Sequence, residues 1–365
     1  MIIEFSNEIE DLFINDKYTD NDLKVLQSLF TMFSNEKNYL KLSEKFIMKI
    51  LFDKYIFESF SRDIRRLIND LYARYSTIKS EYKKYNSLVV LSSTKTIKKI
   101  MNEINIQYEV PFNSNVENLF AILSTENVQD YHFYMGIYKM FNDEKIYIDN
   151  LPYNGGNIDT IKTYIHNNKV LLCIADSDKE YFDSKKGSTA SAVERLIKKY
   201  ETKKIIDKYV LNVREKENLI PFSTYLIYCE STKEKYFKEI NNLANMDNNI
   251  NYYYDIKDGI KLKKYNEYYN KFDTDECIKW NQINRKMIDA AIDNELSDFN
   301  VCLDERCIKG ALDVFNRIEV DIEKNDEKVK NIQFYPLQLE DIKNINNKIT
   351  HFGIVFDKSR HFNNL

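Results

Sequence analysis

Between residues 118 and 213, short apolar runs alternate with amphipathic stretches, and this pattern restricts the possible folds most strongly. NLFAILS (118–124), KIYIDNL (145–151), KVLLCIA (169–175) and KYVLNV (208–213) have strand length and are rich in aliphatic residues. VQDYHFYMGIYKMF (128–141), IDTIKTYIHNN (158–168) and AVERLIKKYE (192–201) carry apolar residues at three- and four-residue spacing, the period of a helix with one buried face. YNGGN (153–157) supplies the Gly pair of a tight connection. Strands separated by helices predict βαβ units, hence an α/β fold with a mostly parallel sheet flanked by helices.

The flanks read differently. Residues 1–112 are expected to be mainly helical. Leu23, Leu26, Phe30 and Phe33 form one apolar stripe behind Thr19 as N-cap, and Ile64, Ile68, Leu71 and Tyr75 form another. SLVVL (87–91) reads as a strand, SSTKT (92–96) as a capped helix start and TIKKIMNEI (96–104) as the helix. SSTKT lacks the GxxxxGK[ST] frame of a phosphate-binding loop. Residues 113–235 hold the alternating α/β unit, and residues 236–365 return to helices. The clearest are QINRKMIDAAIDNEL (282–296) and RCIKGALDVFNRI (306–318), while NMDNNINYYYD (245–255) reads as a polar loop leading into a short strand.

Composition narrows the function classes. With 43% hydrophobic residues in 365, the chain has the material for two or three cores. Its net charge of −4 excludes a protein that coats nucleic acid along its surface, so any such contact is local. The abundance of Lys, Asn and Ile reads as a coding bias rather than as chemistry. Five dispersed Cys (173, 229, 277, 302, 307) suggest reduced thiols, and neither a disulfide framework nor a zinc half-site fits their spacing. The first segment, MIIEFSNEIEDLF, is acidic where a secretion signal is basic, and no apolar run reaches ~18 residues. The expectation is a cytoplasmic protein with no membrane partner.

The chemistry falls at strand ends, where open α/β sheets gather functional groups. Glu126 follows the strand at 118–124, and Asp130 follows four residues later in the first helical turn, so both carboxylates can address one point. Asp176 and Asp178 follow the strand at 169–175, two apart, and in an extended segment they share a side. Four carboxylates at neighbouring strand ends repel unless a cation lies between them, and Mg²⁺ or Mn²⁺ suits such oxygen donors. A structural reading stands beside this one: acids at 126 and 130 also suit a helix dipole, and those at 176 and 178 also cap helices.

LFAILSTENVQDYHFY and, fifty residues on, LLCIADSD resemble the first acidic motif and the DxD motif of the TOPRIM fold, shared by topoisomerases, primases, RecR-type proteins and OLD-family nucleases. The likeness covers about a third of the chain. VLNVREKENLIP (210–221) resembles the later strand of TOPRIM effectors of anti-phage defence, which implies Glu217, or alternatively Glu215, as a further metal ligand. Asn127 stands where the family often has Gly after the first Glu. The resemblance implies catalytic Glu126, Asp130, Asp176 and Asp178, with Mg²⁺ or Mn²⁺ held by Glu126, Asp176, Asp178 and Glu217. The implied activity is metal-dependent cleavage of DNA or RNA phosphodiesters in anti-phage defence, with a separate ATPase chain as sensor. The alternative is a non-catalytic TOPRIM scaffold that binds nucleic acid or a protein. Lys185, Lys186 and Gly187 are candidates for phosphate contact. YYYDIKDGIKLKKYNEYY (252–269) interleaves aromatics and lysines as single-strand binders do, and similar aromatic-DIKxG segments occur in TOPRIM effectors, which favours a shared structural role. His132 reads as a packed helix-surface residue.

Overall fold

Apolar residues alternate about each strand of the central unit, and two cores form on the two faces of one sheet. A computed structural model describes residues 1–101, 106–114, 116, 119–154, 158–167, 169–257, 260–261, 279, 282, 307–308 and 312–355. To residue 112 its elements are β1 (Ile2–Phe5), α1 (Asn7–Ile14), α2 (Asp20–Ser34), β2 (Tyr39–Lys41), α3 (Glu44–Phe52), α4 (Lys54–Ser59), α5 (Arg62–Ala73), α6 (Tyr75–Tyr82), β3 (Val89–Ser92), β4 (Lys98–Met101) and β5 (Ile106–Pro111). The central unit follows as β6 (Ala121–Thr125), α7 (Val128–Phe141), β7 (Ile148–Pro152), α8 (Asp159–His166), β8 (Val170–Ala175), α9 (Ser188–Tyr200) and β9 (Ile206–Val210). Beyond it lie α10 (Phe222–Tyr228), α11 (Ser231–Met246), α12 (Asn249–Tyr253), the short antiparallel pair β10 (Ile260–Lys261) and β11 (Cys307–Ile308), α13 (Leu312–Glu323) and α14 (Pro336–Gly353).

The central sheet is fully parallel, in the order β7-β6-β8-β9. The expected α/β class is therefore observed. Ile122, Leu171, Cys173 and Ile206 face α8 and α9, packing on Ile161, Ile165, Val193 and Ile197. Their neighbours Ala121, Leu123, Val170, Leu172 and Ile174 face the opposite core, with Phe133, Tyr134 and Ile137 of α7 and residues of α13 and α14. Two-sided burial explains why these strands read as continuous apolar runs. Strand order reverses between β6 and β8, which makes the gap between their carboxyl ends the place where open α/β sheets bind ligands.

The amino-terminal region needs correction. Its helices are accompanied by a five-stranded sheet, β2-β1-β3-β5-β4, parallel except for β4. Strands of three to six residues are too short to show a period. TIKKIMNEI is not helical over 98–101, which pair with β5; this edge strand, bearing Lys98 and Lys99, is fixed by a partner that local propensity does not reveal. SSTKT accordingly begins no helix. Thr19 does cap α2, in a capping box with Asp22. This region docks on the central sheet through Tyr108, whose hydroxyl donates to the Ile206 carbonyl at 2.5 Å, and through Lys99–Glu201 at 3.1 Å.

Two carboxyl-terminal expectations also change. NMDNNINYYYD is not a loop: it holds the end of α11 and all of α12, and Tyr252, Tyr253 and Tyr254 are buried. Their apolar burial, invisible in a polar string, overrides the loop composition. The helix expected over 306–318 begins at Leu312, and Cys307–Ile308 pair as strand. Residues 283–296 of the helix expected at 282–296 and the Gly pair at 155–156 lie outside the described residues. Cys173 and Cys229 are free thiols, and no described helix is long and apolar enough to cross a membrane.

Candidate functional site

Two strand ends and one following segment build the site. Glu126 follows β6. Asn127 then caps α7, accepting from the Asp130 N–H at 2.8 Å while Asp130 Oδ2 accepts from the Asn127 N–H at 3.2 Å. Asn127 thus serves as a helix cap. Asp130 is the reciprocal partner of that cap, and its Oδ1 lies 2.9 Å from Lys216 Nζ. Asp130 is therefore turned toward Lys216.

After β8, Asp176 accepts the Lys216 backbone N–H at 3.0 Å through Oδ1. The segment is not extended as the sequence suggested: Asp178 has φ 54°, in the left-handed region that Asp tolerates better than most residues. Two backbone hydrogen bonds cause the bend, since the N–H groups of Ser177 and Asp178 both donate to the Arg214 carbonyl at 2.9 Å. The Ser177 hydroxyl adds a bond to the Val213 carbonyl at 2.6 Å. The β8 loop is thereby tied to the segment after β9, which carries Arg214, Glu215, Lys216 and Glu217. That segment is pinned from α14: Asp341 accepts from the backbone N–H groups of Asn212 and Val213 at 3.0 Å, and the Gln338 amide donates to the Asn218 carbonyl at 2.8 Å.

Lys257, the lysine of the DIKDG string, reaches into this cluster. Its Nζ lies 3.0 Å from Glu215 Oε2, 3.4 Å from Glu217 Oε2 and 3.9 Å from Asp176 Oδ2. Burial opposes its charge, yet Glu217, Asp176 and Glu215 outweigh it and raise its pKa. Arg214 lies between Glu215 at 3.3 Å and Asp255 at 2.6 Å. Lys216 lies between Asp130 and, at 2.6 Å, Glu319 of α13, over the rings of Phe133 and Phe315.

The carboxylates carry the strain of this crowding. Burial, then the charge of Glu217, holds Asp176 well above the usual range. Burial pushes Glu217 up to about 7, with Lys257 opposing and Glu215 adding. Glu126 is raised by burial and by Asp130, and Asp178 by burial and by Glu215. Glu126 and Asp178 also feel each other's cluster: Lys257 lowers both and Glu215 raises both. Glu126, Asp176, Asp178 and Glu217 thus share one field, with Glu215 in it as well. Glu217 Oε2 and Glu215 Oε2 are buried, and Lys257 is the cation that meets both. Such oxygens fit a cation by their chemistry. Even so, among the described residues no group of three or more His, Cys, Asp or Glu is arranged to hold a metal ion.

Other candidates fall away from the centre. Lys186 pairs with Glu194 at 2.8 Å, Lys185 is exposed, and Gly187 packs against Asp178. The buried tyrosines 252–254 offer no stacking surface for bases. His132 is exposed on α7 beside Tyr131. Sequence reasoning missed Arg214, Lys216, Lys257, Glu319 and Asp341. Only Lys257 had a signal, in the aromatic-DIKxG resemblance. Comparisons with protein-family models, curated proteins and solved structures give no match for this chain.

Proposed function

We propose that the chain is a TOPRIM-like, divalent-metal-dependent phosphodiesterase acting on nucleic acid. The observation that supports this reading most is the gathering of Asp176, Glu215 and Glu217 about one partly exposed ammonium beyond the carboxyl ends of β8 and β9. Asp176, Glu215 and Glu217, with Glu126 and Asp178 beside them, would hold the ion. A bound Mg²⁺ or Mn²⁺ supplies an activated water and charge stabilisation for a phosphodiester. The chain's own contribution is to orient these carboxylates: the backbone bonds of Ser177 and Asp178 to Arg214 fix one wall, and Asp341 fixes the other. Lys257 offers a positive charge beside the site, suited to a phosphate oxygen.

A second reading, a non-catalytic scaffold, is favoured by the ion pairs that Lys257 makes with Glu215 and Glu217 and by the lack of a three-ligand metal arrangement among the described residues. A cleavage assay separates the two. Purified protein is incubated with single- and double-stranded DNA and with tRNA, in Mg²⁺ or Mn²⁺, with and without an ATPase encoded beside it. The nuclease reading expects cleavage that Asp176→Ala and Glu217→Ala each reduce at least about a hundredfold while nucleic-acid binding persists. Wild-type protein that binds but cuts none of these substrates is the scaffold's result.

A further inference from the structure

The loop from Ser177 to Gly187 leaves β8 at the acidic strand end and closes on itself. The Gly187 N–H donates to the Ser177 carbonyl at 2.8 Å, and the Lys179 N–H donates to the Ser177 hydroxyl at 3.2 Å. Further along, the Ser184 hydroxyl accepts the N–H groups of Glu180 and Tyr181, at 2.8 and 3.1 Å, and donates to the Tyr181 carbonyl at 2.8 Å. Tyr181 packs on the core. This frame leaves Phe182 54% exposed. Other exposed rings have partners: Phe52 meets Tyr72, Phe141 meets Phe334, and the Tyr55 hydroxyl donates to Asp20. Phe182 has instead the Lys179 ammonium, which lies 5.8 Å from its ring centroid and donates to its carbonyl at 3.1 Å.

The loop stands beside the acidic strand end. The Asp178 N–H donates to the Arg214 carbonyl, and Glu180 and Asp183 lie within electrostatic reach of Arg214 and Tyr253. Asp183 and Lys185 are exposed, while Lys186 is taken by Glu194. A fixed aromatic ring with lysines before and after it suits a base that stacks on the ring while its phosphates meet the ammonium groups. In a duplex each base is already stacked within the helix, so the ring favours an unpaired one. A protein interface centred on Phe182 fits less well, because Asp183 and Lys185 stand where an interface core is depleted of charge. We propose that Phe182, with Lys179 and Lys185, is the stacking platform for an unpaired base of single-stranded nucleic acid at this site. This rests on the nucleic-acid reading above and adds the strandedness of the substrate.

The test is the fluorescence anisotropy of labelled oligothymidine and oligouridine, each alone and annealed to its complement, with the whole chain in chelator so that nothing is cut. Wild type, Phe182→Ala and the ring-preserving Phe182→Trp are compared, with a thermal melt of each. The expected result is single-strand binding that Phe182→Ala weakens at least about fivefold and Phe182→Trp preserves, with duplex binding equal in all three. Single-strand affinity unchanged in Phe182→Ala, an equal loss on duplexes, or a loss as large in Phe182→Trp would overturn the proposal while leaving metal-dependent cleavage possible. Wild type that binds neither single strand overturns it as well. Single-strand binding through Phe182 with no cleavage of any substrate in Mg²⁺ or Mn²⁺ keeps this proposal and removes the nuclease reading.

Discussion

Gly187 lies against Asp178 so closely that a Cβ at position 187 would fall 2.2 Å from Asp178 Oδ2 and 2.5 Å from Asp178 Cβ. The Gly187 N–H also donates to the Ser177 carbonyl at 2.8 Å, so the two ends of the loop after β8 are clasped together. Gly187 has φ −60°, and the need for glycine here is spatial rather than conformational. Gly187→Ala is therefore expected to push Asp178 from its place, costing roughly 1–3 kcal/mol of stability by overpacking. A denaturant melt paired with the Mg²⁺ cleavage assay checks this. An unchanged melt with full cleavage would mean that the loop is loose and the close contact unimportant.

Lys216 gives a second expectation. It is the shared cation of Asp130 and Glu319, and removing one partner from a buried ion network leaves uncompensated charge. Lys216→Met should cost about 3–5 kcal/mol. The triple variant Lys216→Met, Asp130→Asn, Glu319→Gln should recover most of that loss, because no charge is then stranded. Urea unfolding of the metal-free proteins measures both. A single variant as stable as wild type would show that water reaches these carboxylates freely.

The third expectation concerns pH. Glu217 is pushed up to about 7 by burial, above an ordinary value of 4.5, so in this range the folded chain holds more protons than the unfolded chain. Stability linked to Glu217 is fully present below about 4.5 and is lost as pH rises through about 7. Relative to Glu217→Gln, whose side chain does not titrate, wild type should lose roughly 1–3 kcal/mol between pH 5 and pH 8. Thermal or urea melts in chelator at the two pH values give the difference. A wild type that gains on the variant as pH rises would mean that Lys257 keeps Glu217 ionised throughout.

Residues 118–213 show how much of this protein is written locally. The runs at 121–125 and 170–175 are strands because both of their faces are buried, and α8 and α9 carry an apolar stripe at helical spacing. Glu126, Asp176 and Asp178 were legible for the same reason, since strand ends are fixed once strands are. What the sequence could not disclose depends on contacts between distant residues. β4 is a strand only because β5 pairs with it. The left-handed turn at Asp178 exists because the Arg214 carbonyl, thirty-six residues on, accepts two N–H groups. Lys257 and Lys216 look like ordinary solvated charges in their own segments. Folding sets one among Asp176, Glu215 and Glu217 and encloses the other between Asp130 and Glu319. Backbone periodicity is a property of neighbours along the chain, so sequence determined the sheet and the acids at its edge. Electrostatic pairing is a property of neighbours in space, so only the tertiary structure decided which cations those acids meet.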